Sequence, residues 1–211
     1  TESRTRFKIH TIEVFLMTGL KEWFADKYKT SGDVVDSITH QIGYVESKNV
    51  PTAVQKASGG GEGPGRGLFQ FEKSTGGGSG AFQTALNRTE NLYVKIGQDV
   101  PDWLAGARSS DDASQLTSSQ QQEILLGDLA MKSGSDKLIT EAIATGSAKS
   151  LWLQKHWAGA EVGSQEYFKK GEQWDREMTT YKPLPSPQKK SIDPAGIAME
   201  AMSKIDKPLG Y

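Results

Sequence analysis

Apolar residues recur at three- and four-residue spacing over much of the chain, the mark of helices with one buried face. Ile12, Phe15, Leu16, Leu20, Trp23 and Phe24 form one such stripe between Thr11 and Tyr28. A second stripe follows Ser31-Gly32-Asp33 and carries Val34, Val35, Ile38, Ile42 and Val45, with Glu46 at its end. Ser47, Lys48, Asn49 and Pro51 are expected to stop it, since proline disfavours a helical residue before it. Helical patterns return over Ala81–Val94, with Phe82, Leu86 and Tyr93, and after Thr117, with Ile124, Leu125 and Leu129. Thr117 or Ser118 is placed to cap the latter helix. Another pattern spans Ser135–Ala144, with Leu138, Ile139, Ala142 and Ile143, and Gly146 is placed to end it. Leu151–Trp157 and Tyr167–Trp174 are two shorter, aromatic-bearing candidates.

The periodicity breaks once. "SGGGEGPGRG" and "STGGGSG" bracket the apolar segment "LFQF", Leu68 to Phe71. A flexible linker seldom interrupts itself with such a segment. The stretch therefore predicts a short β-hairpin or extended loops beside a cleft, with Leu68–Phe71 extended. The expected fold is mainly α, of the α+β kind, with one small Gly-rich β element, over residues 1–182. "KPLPSPQKKSIDP" then opens a proline-containing polar tail over 183–211.

Composition narrows the chemistry. The chain has 211 residues, enough for one domain with a usable core. Its 25 basic and 26 acidic residues leave a net charge of -1, which gives no electrostatic footprint for nucleic acid. There is no cysteine, so disulfides, thiolate catalysis and thiolate-bound metals are excluded. The three histidines, His10, His40 and His156, form no HExxH-type pair, and no metal or cofactor is expected. No apolar run approaches the ~20 residues of a membrane span. The opening "TESRTRFKIH" lacks the apolar core of a signal peptide.

Glu46 is the residue on which chemistry turns. Glycosidic cleavage needs a carboxylic acid that still holds its proton near neutral pH, and burial against apolar groups favours that state. Tyr44 and Val45 beside it, and the partial negative charge of a helix C-terminus, supply such a setting. By position alone, a solvated helix end is the plainer reading.

The neighbourhood changes the weighting. "ESKNVPTAV" followed by "GRGLFQF" resembles the soluble lytic transglycosylase and goose-type lysozyme group of the lysozyme superfamily. That group has a catalytic Glu followed by Ser, a Pro-x-Ala stretch, then Gly-Leu-Met-Gln. The matching residues are Glu46, Ser47, Pro51, Ala53, Gly67, Leu68 and Gln70, with Phe69 in the Met place. The gap before Gly67 is longer than usual by about the "GGGEGP" insertion. The resemblance covers roughly Val34 to Phe71.

It implies cleavage of peptidoglycan at the β-1,4 bond from N-acetylmuramic acid to N-acetylglucosamine, with Glu46 as general acid. In the transglycosylase route the muramic 6-hydroxyl attacks intramolecularly and Glu46 returns as base. A hydrolytic route needs a second carboxylate to activate water, about 6.5–9.5 Å away in inverting enzymes. By likeness to the goose-type layout, Glu62 and Glu72 are the candidates, and surface solubility is the alternative for each. For substrate binding the candidates are Gln70 on an acetamido group, Ser47 on Glu46 or the sugar, and Arg66, which meets a peptide-stem carboxylate or is merely solvated. "HWAG", His156 to Gly159, stands where the family often has aromatic-Asn-x-Gly, without the Asn. Trp157 either stacks on a sugar or belongs to the core, and Tyr93 and Trp103 carry the same ambiguity.

The implied partners are glycan strands and, in a phage-type setting, other virion proteins; the implied location is a virion, the periplasm or the cell wall. The competing expectations are a non-catalytic structural or wall-binding module of a virion or secretion assembly, and a glycosidase for another aminosugar polymer such as chitin.

Overall fold

The computed structural model describes residues 19–75, 80–157 and 161–185, and within them the apolar stripes become helices. Of the first stripe, the structure describes the part from Gly19 onward. Helix α1 is Leu20–Lys27, because Gly19 is fully extended (φ 178, ψ 176) and glycine is a weak helix former. Ile12, Phe15, Leu16 and His10 lie outside the described residues.

Helix α2 (Gly32–Ser47) starts where Ser31 accepts a hydrogen bond from the Val34 amide at 3.3 Å. It ends earlier than proline would require. Lys48 and Asn49 both turn left-handed (φ 58 and 61), and their amides bond back to Tyr44 O at 3.0 Å and Gly43 O at 3.2 Å. Gly43 permits that return, since a Cβ there would stand 2.5 Å from Asn49 Oδ1 and 3.4 Å from the Phe69 ring.

The glycine-rich region forms an antiparallel sheet of β1 (Val54–Lys56), β2 (Glu62–Arg66) and β3 (Phe71–Glu72), in that order. Val54 pairs with Arg66 and Lys56 with Glu62, while Gly65 pairs with Glu72 and Arg66 with Phe71. The hairpin is therefore present, but its parts exchange places. The glycine- and proline-bearing residues 62–66 are the strand. Residues 67–70, Gly-Leu-Phe-Gln, are the turn. Gly67 (φ 76) and Gln70 (φ 49) have positive φ, which no strand accommodates. Leu68 and Phe69 face inward from this turn and are buried.

The remaining helices are α3 (Ala81–Lys95), α4 (Trp103–Ser110), α5 (Ser118–Met131), α6 (Ser135–Thr145), α7 (Lys149–Leu151) and α8 (Gln165–Met178). A 3-10 turn at Ala113–Gln115 leads into α5, and α7 runs straight into a π-helical turn, Trp152–His156. Thr117 caps α5 in a reciprocal capping box with Gln120, and Gly146 (φ 69) closes α6. One core joins these elements: Phe24, Ile42, Phe82, Leu86, Ile124, Leu125, Ile139 and Trp152 are each at most 2% exposed. After α8 the chain returns to α2, where Tyr181 packs edge-on against Tyr44 (5.3 Å) and its hydroxyl lies 3.1 Å from His40 Nδ1. Of the proline-containing tail, residues 186–211 lie outside the described residues.

Tyr93 is core rather than cleft: it is 3% exposed, and its hydroxyl donates to Glu123 Oε2 at 2.6 Å. Burial raises the Glu123 carboxyl above its ordinary range, the Tyr93 bond opposes this, and Glu22 adds repulsion. A raised folded-state pKa contributes stability fully below the unfolded pKa and loses it as pH rises through the carboxylate range. Glu123→Gln keeps an acceptor for Tyr93 and removes the charge. It is expected to raise the Tm at about pH 7 and to lose that advantage at about pH 4. Thermal unfolding at the two pH values checks this, and a lower Tm at neutral pH would contradict it.

Candidate active site

Glu46 occupies the last turn of α2 with its side chain 15% exposed. Trp152 Nε1 donates to its Oε1 at 2.5 Å. His156 Nε2 stands 3.8 Å from the same oxygen, too far for a hydrogen bond, and 2.8 Å from Phe69 O. A carbonyl only accepts, so the imidazole proton on Nε2 points to Phe69. No hydrogen bond from the described residues reaches Glu46 Oε2, which leaves one carboxyl oxygen fixed and the other available.

Trp152 and His156, four residues apart on one helical segment, share a face and both approach Glu46. The Trp157 amide bonds to Trp152 O at 2.8 Å, skipping one residue more than an α-helix would. The His156 ring packs edge-on against Phe71 (5.5 Å) and Phe69 (6.4 Å), so the hairpin turn fixes its plane. Trp152 is held from behind by Trp174 of α8, with ring centroids 5.4 Å apart.

The two halves of the sequence pattern meet here. Ser47 Oγ lies 2.8 Å from Leu68 O and 3.1 Å from Gly43 O, so its hydroxyl ties the end of α2 to the Gly-Leu-Phe-Gln turn. Gln121 of α5, wholly buried, secures the same turn from below. Its Oε1 accepts from the Leu68 amide at 2.6 Å, and its Nε2 donates to Leu116 O at 2.9 Å and Pro51 O at 3.0 Å. Gly67 is required at that crossing, because a Cβ would collide with the Gln121 carboxamide. Gln41 does similar work for the other wall, donating to Gly146 O at 2.8 Å and accepting from the Ala148 amide at 3.0 Å. That pair of bonds fixes the start of α7 against α2 and so places Trp152.

The other candidates are distributed differently. Gln70 Nε2 donates to Gly67 O at 2.8 Å, within its own turn. Arg66 is neither solvated nor free: it is 2% exposed, donates to Gly63 O, Gly65 O and Glu62, and lies 3.8 Å from Asp112 Oδ2. Glu62 belongs to this second cluster, bound to Arg66 at 3.0 Å with its side chain 71% exposed. Glu72 is exposed on β3, next to buried Phe71. Trp157 is half-buried against the core, and Lys170 Nζ sits 4.2 Å over its ring. Trp103, at the start of α4, also packs against the core. A surface depression of about 330 Å³ lies between α7 and α8, lined by Lys149, Leu153, Tyr167, Phe168, Glu172 and Asp175, and none of the sequence candidates borders it.

Sequence reasoning missed Trp152, Gln121 and Gln41, and saw His156 only as part of a partial motif. A signal existed for Gln121, which precedes Ile124 and Leu125 by three and four residues and so shares their buried face. Among the described residues no group of acidic and histidine side chains gathers as metal ligands, and no helix is long and apolar enough to cross a membrane. The chain matches no protein-family model, no curated protein and no solved structure.

Replacing Gln121 by leucine leaves the Leu68 amide and the Pro51 and Leu116 carbonyls without their buried partner. Each such group costs about 1–3 kcal/mol, so Gln121→Leu is expected to lose at least about 3 kcal/mol. Equilibrium urea unfolding should show a lower midpoint at unchanged slope. A loss below about 1 kcal/mol would show that the carboxamide does not hold the turn.

Proposed function

We propose that this chain is a peptidoglycan-cleaving glycosidase in which Glu46 is the general acid. The observation that carries the reading is the meeting of Glu46-Ser47 with Gly67–Gln70, twenty-one residues on from Ser47 to Leu68, through the Ser47–Leu68 and His156–Phe69 bonds. A chance likeness of two short motifs has no reason to be joined in this way. An acid with one oxygen held by an uncharged donor and the other available also suits proton transfer to a leaving oxygen.

In the proposed reaction Glu46 gives its proton to the glycosidic oxygen between N-acetylmuramic acid and N-acetylglucosamine. The C1–O bond breaks with oxocarbenium character at the muramic C1. The muramic 6-hydroxyl oxygen then bonds to C1, and Glu46 takes up its proton, which restores the acid and leaves a 1,6-anhydro end. We place the reaction on this route because Glu62 is engaged by Arg66. Hydrolysis would instead draw on Glu62 or exposed Glu72 to activate water. The substrate places the activity outside the cytoplasm, at a cell wall or as part of a virion that opens one.

A second reading rests on the depression between α7 and α8, which is the concavity lined by aromatic and charged side chains while Glu46 lies apart from it. In that reading the chain is a non-catalytic wall-binding or structural module.

Incubation of purified cell-wall sacculi with wild type and Glu46→Gln separates these outcomes. Wild type is expected to release muropeptides with anhydro ends, read by mass spectrometry, and Glu46→Gln to be slower by about 10²–10⁴-fold. Reducing ends would redirect the mechanism to hydrolysis. No release by wild type from sacculi would overturn the enzyme reading, and equal rates would remove Glu46 from its role.

A further inference from the structure

We propose that His156 is a positioning residue whose charge state governs Glu46: neutral imidazole leaves the acid able to carry its proton, and imidazolium locks it as carboxylate. This rests on the glycosidase reading of Glu46 and adds a second titrating group to it.

Three observations converge. The first is placement. His156 Nε2 is 3.8 Å from Glu46 Oε1, and the ring is held edge-on by Phe69 and Phe71, so it cannot swing out to solvent without breaking those contacts. The second is proton bookkeeping. Nε2–H is committed to Phe69 O at 2.8 Å, while Nδ1 is buried with no partner among the described residues. The side chain is only 7% exposed. A buried ring nitrogen without a donor or acceptor is unusual, and here it is the one atom at which the imidazole gains or loses charge. The third is the π-helical turn itself. Such turns cost hydrogen-bond geometry and concentrate at functional sites. This one carries both side chains that approach Glu46 Oε1.

The surroundings leave Glu46 as the charged partner. From α2 the facing group is Glu46. From the hairpin turn they are the uncharged Phe69 and Phe71 rings and the Phe69 carbonyl, and Glu72 beside them is exposed. Within its own segment, Lys155 reaches Ser133 O at 2.7 Å. From α5, Lys132 is bound to Asp128 and to Lys155 O, and from α8, Lys170 lies over Trp157. Adding a proton at Nδ1 therefore places a cation against Glu46 with no other carboxylate in contact to absorb it. The carboxylate is then favoured over the acid.

The consequence is a gate on the acidic side. A proton gained by His156 as the pH falls opposes protonation of Glu46. An enzyme with Glu46 alone would gain active acid over the same fall in pH.

Two measurements test this. In the first, sacculus digestion by wild type and His156→Gln is compared from about pH 5 to 8. Glutamine retains an N–H for Phe69 O and takes no charge. The ratio of variant to wild-type rate is expected to rise by at least about fivefold from about pH 7.5 to about pH 5, the factor a unit charge at 4 Å gives in full water screening. Profiles that run parallel, whatever their height, overturn the proposal. In the second, the His156 ring is followed by nitrogen NMR in wild type and Glu46→Gln, the three histidines allowing assignment. Its titration midpoint is expected to fall by about 0.7 of a pH unit or more when the Glu46 charge is removed, and an unchanged midpoint overturns the pairing. The NMR result does not depend on turnover. If wild type digests nothing while the midpoint falls, the glycosidase reading fails and the coupled pair stands.

Discussion

The site depends on one buried carboxamide. Gln121 is the point at which the loop after α2, the hairpin turn and the entry to α5 are fixed relative to each other, through Pro51 O, the Leu68 amide and Leu116 O. None of these backbone groups belongs to a helix or strand ladder that would otherwise satisfy it. Each buried polar group left without a partner costs about 1–3 kcal/mol, so the three segments have little freedom to separate while Gln121 is in place. Hydrophobic burial makes the core, but it is non-directional. The carboxamide supplies the direction that sets the turn under Glu46.

A similar economy builds the opposite wall. Gln41 on α2 uses both ends of its side chain on the Gly146–Ala148 connection, and so fixes where α7 begins. From there the register is covalent: Trp152 follows Ala148 by four residues and His156 follows Trp152 by four. Four residues apart on one helical segment, the two side chains share a face. The candidate site is thus the meeting of α2, the hairpin turn and the α7 segment, each held by side-chain-to-backbone bonds and not by contacts among the reactive groups themselves. That separation lets a reactive carboxyl be altered without removing what positions it.

Much of the helical architecture was legible in the chain because it rests on local rules. Period, a cap at Thr117 and a stop at Gly146 act within a few residues, and the structure follows them. The reading failed where a local rule met a distant one. "LFQF" has the composition of a strand, yet Gly67 and Gln70 turn with positive φ because Gln121, over fifty residues away, captures the Leu68 amide. Arg66 looked like a surface charge because its sequence neighbours are glycines, and only the folded hairpin shows their carbonyls turned onto it. Glu46 was singled out by the words around it. Trp152 and His156 were not, because no spacing rule announces a partner 106 residues on, and the widened turn that carries them has no composition signature.

The choice of donor to Glu46 follows a consistent logic. An arginine or lysine in contact would bind a carboxylate more strongly than an indole, but its charge would also hold the group ionised. Among the described residues, cations on the segments that meet here have other partners: Lys48 has Glu177, Arg66 has Glu62, Lys132 has Asp128, and Lys155 has a backbone carbonyl. What remains against Glu46 is one uncharged donor, Trp152, and one group of variable charge, His156. The indole fixes position in either protonation state of the carboxyl, since Oε1 accepts from it whether the proton sits on Oε2 or is absent. Position and charge are therefore assigned to different residues. On the proposed reading, in which Glu46 both gives and recovers a proton, that division is what the chemistry asks for, because a single cationic anchor would favour the carboxylate throughout.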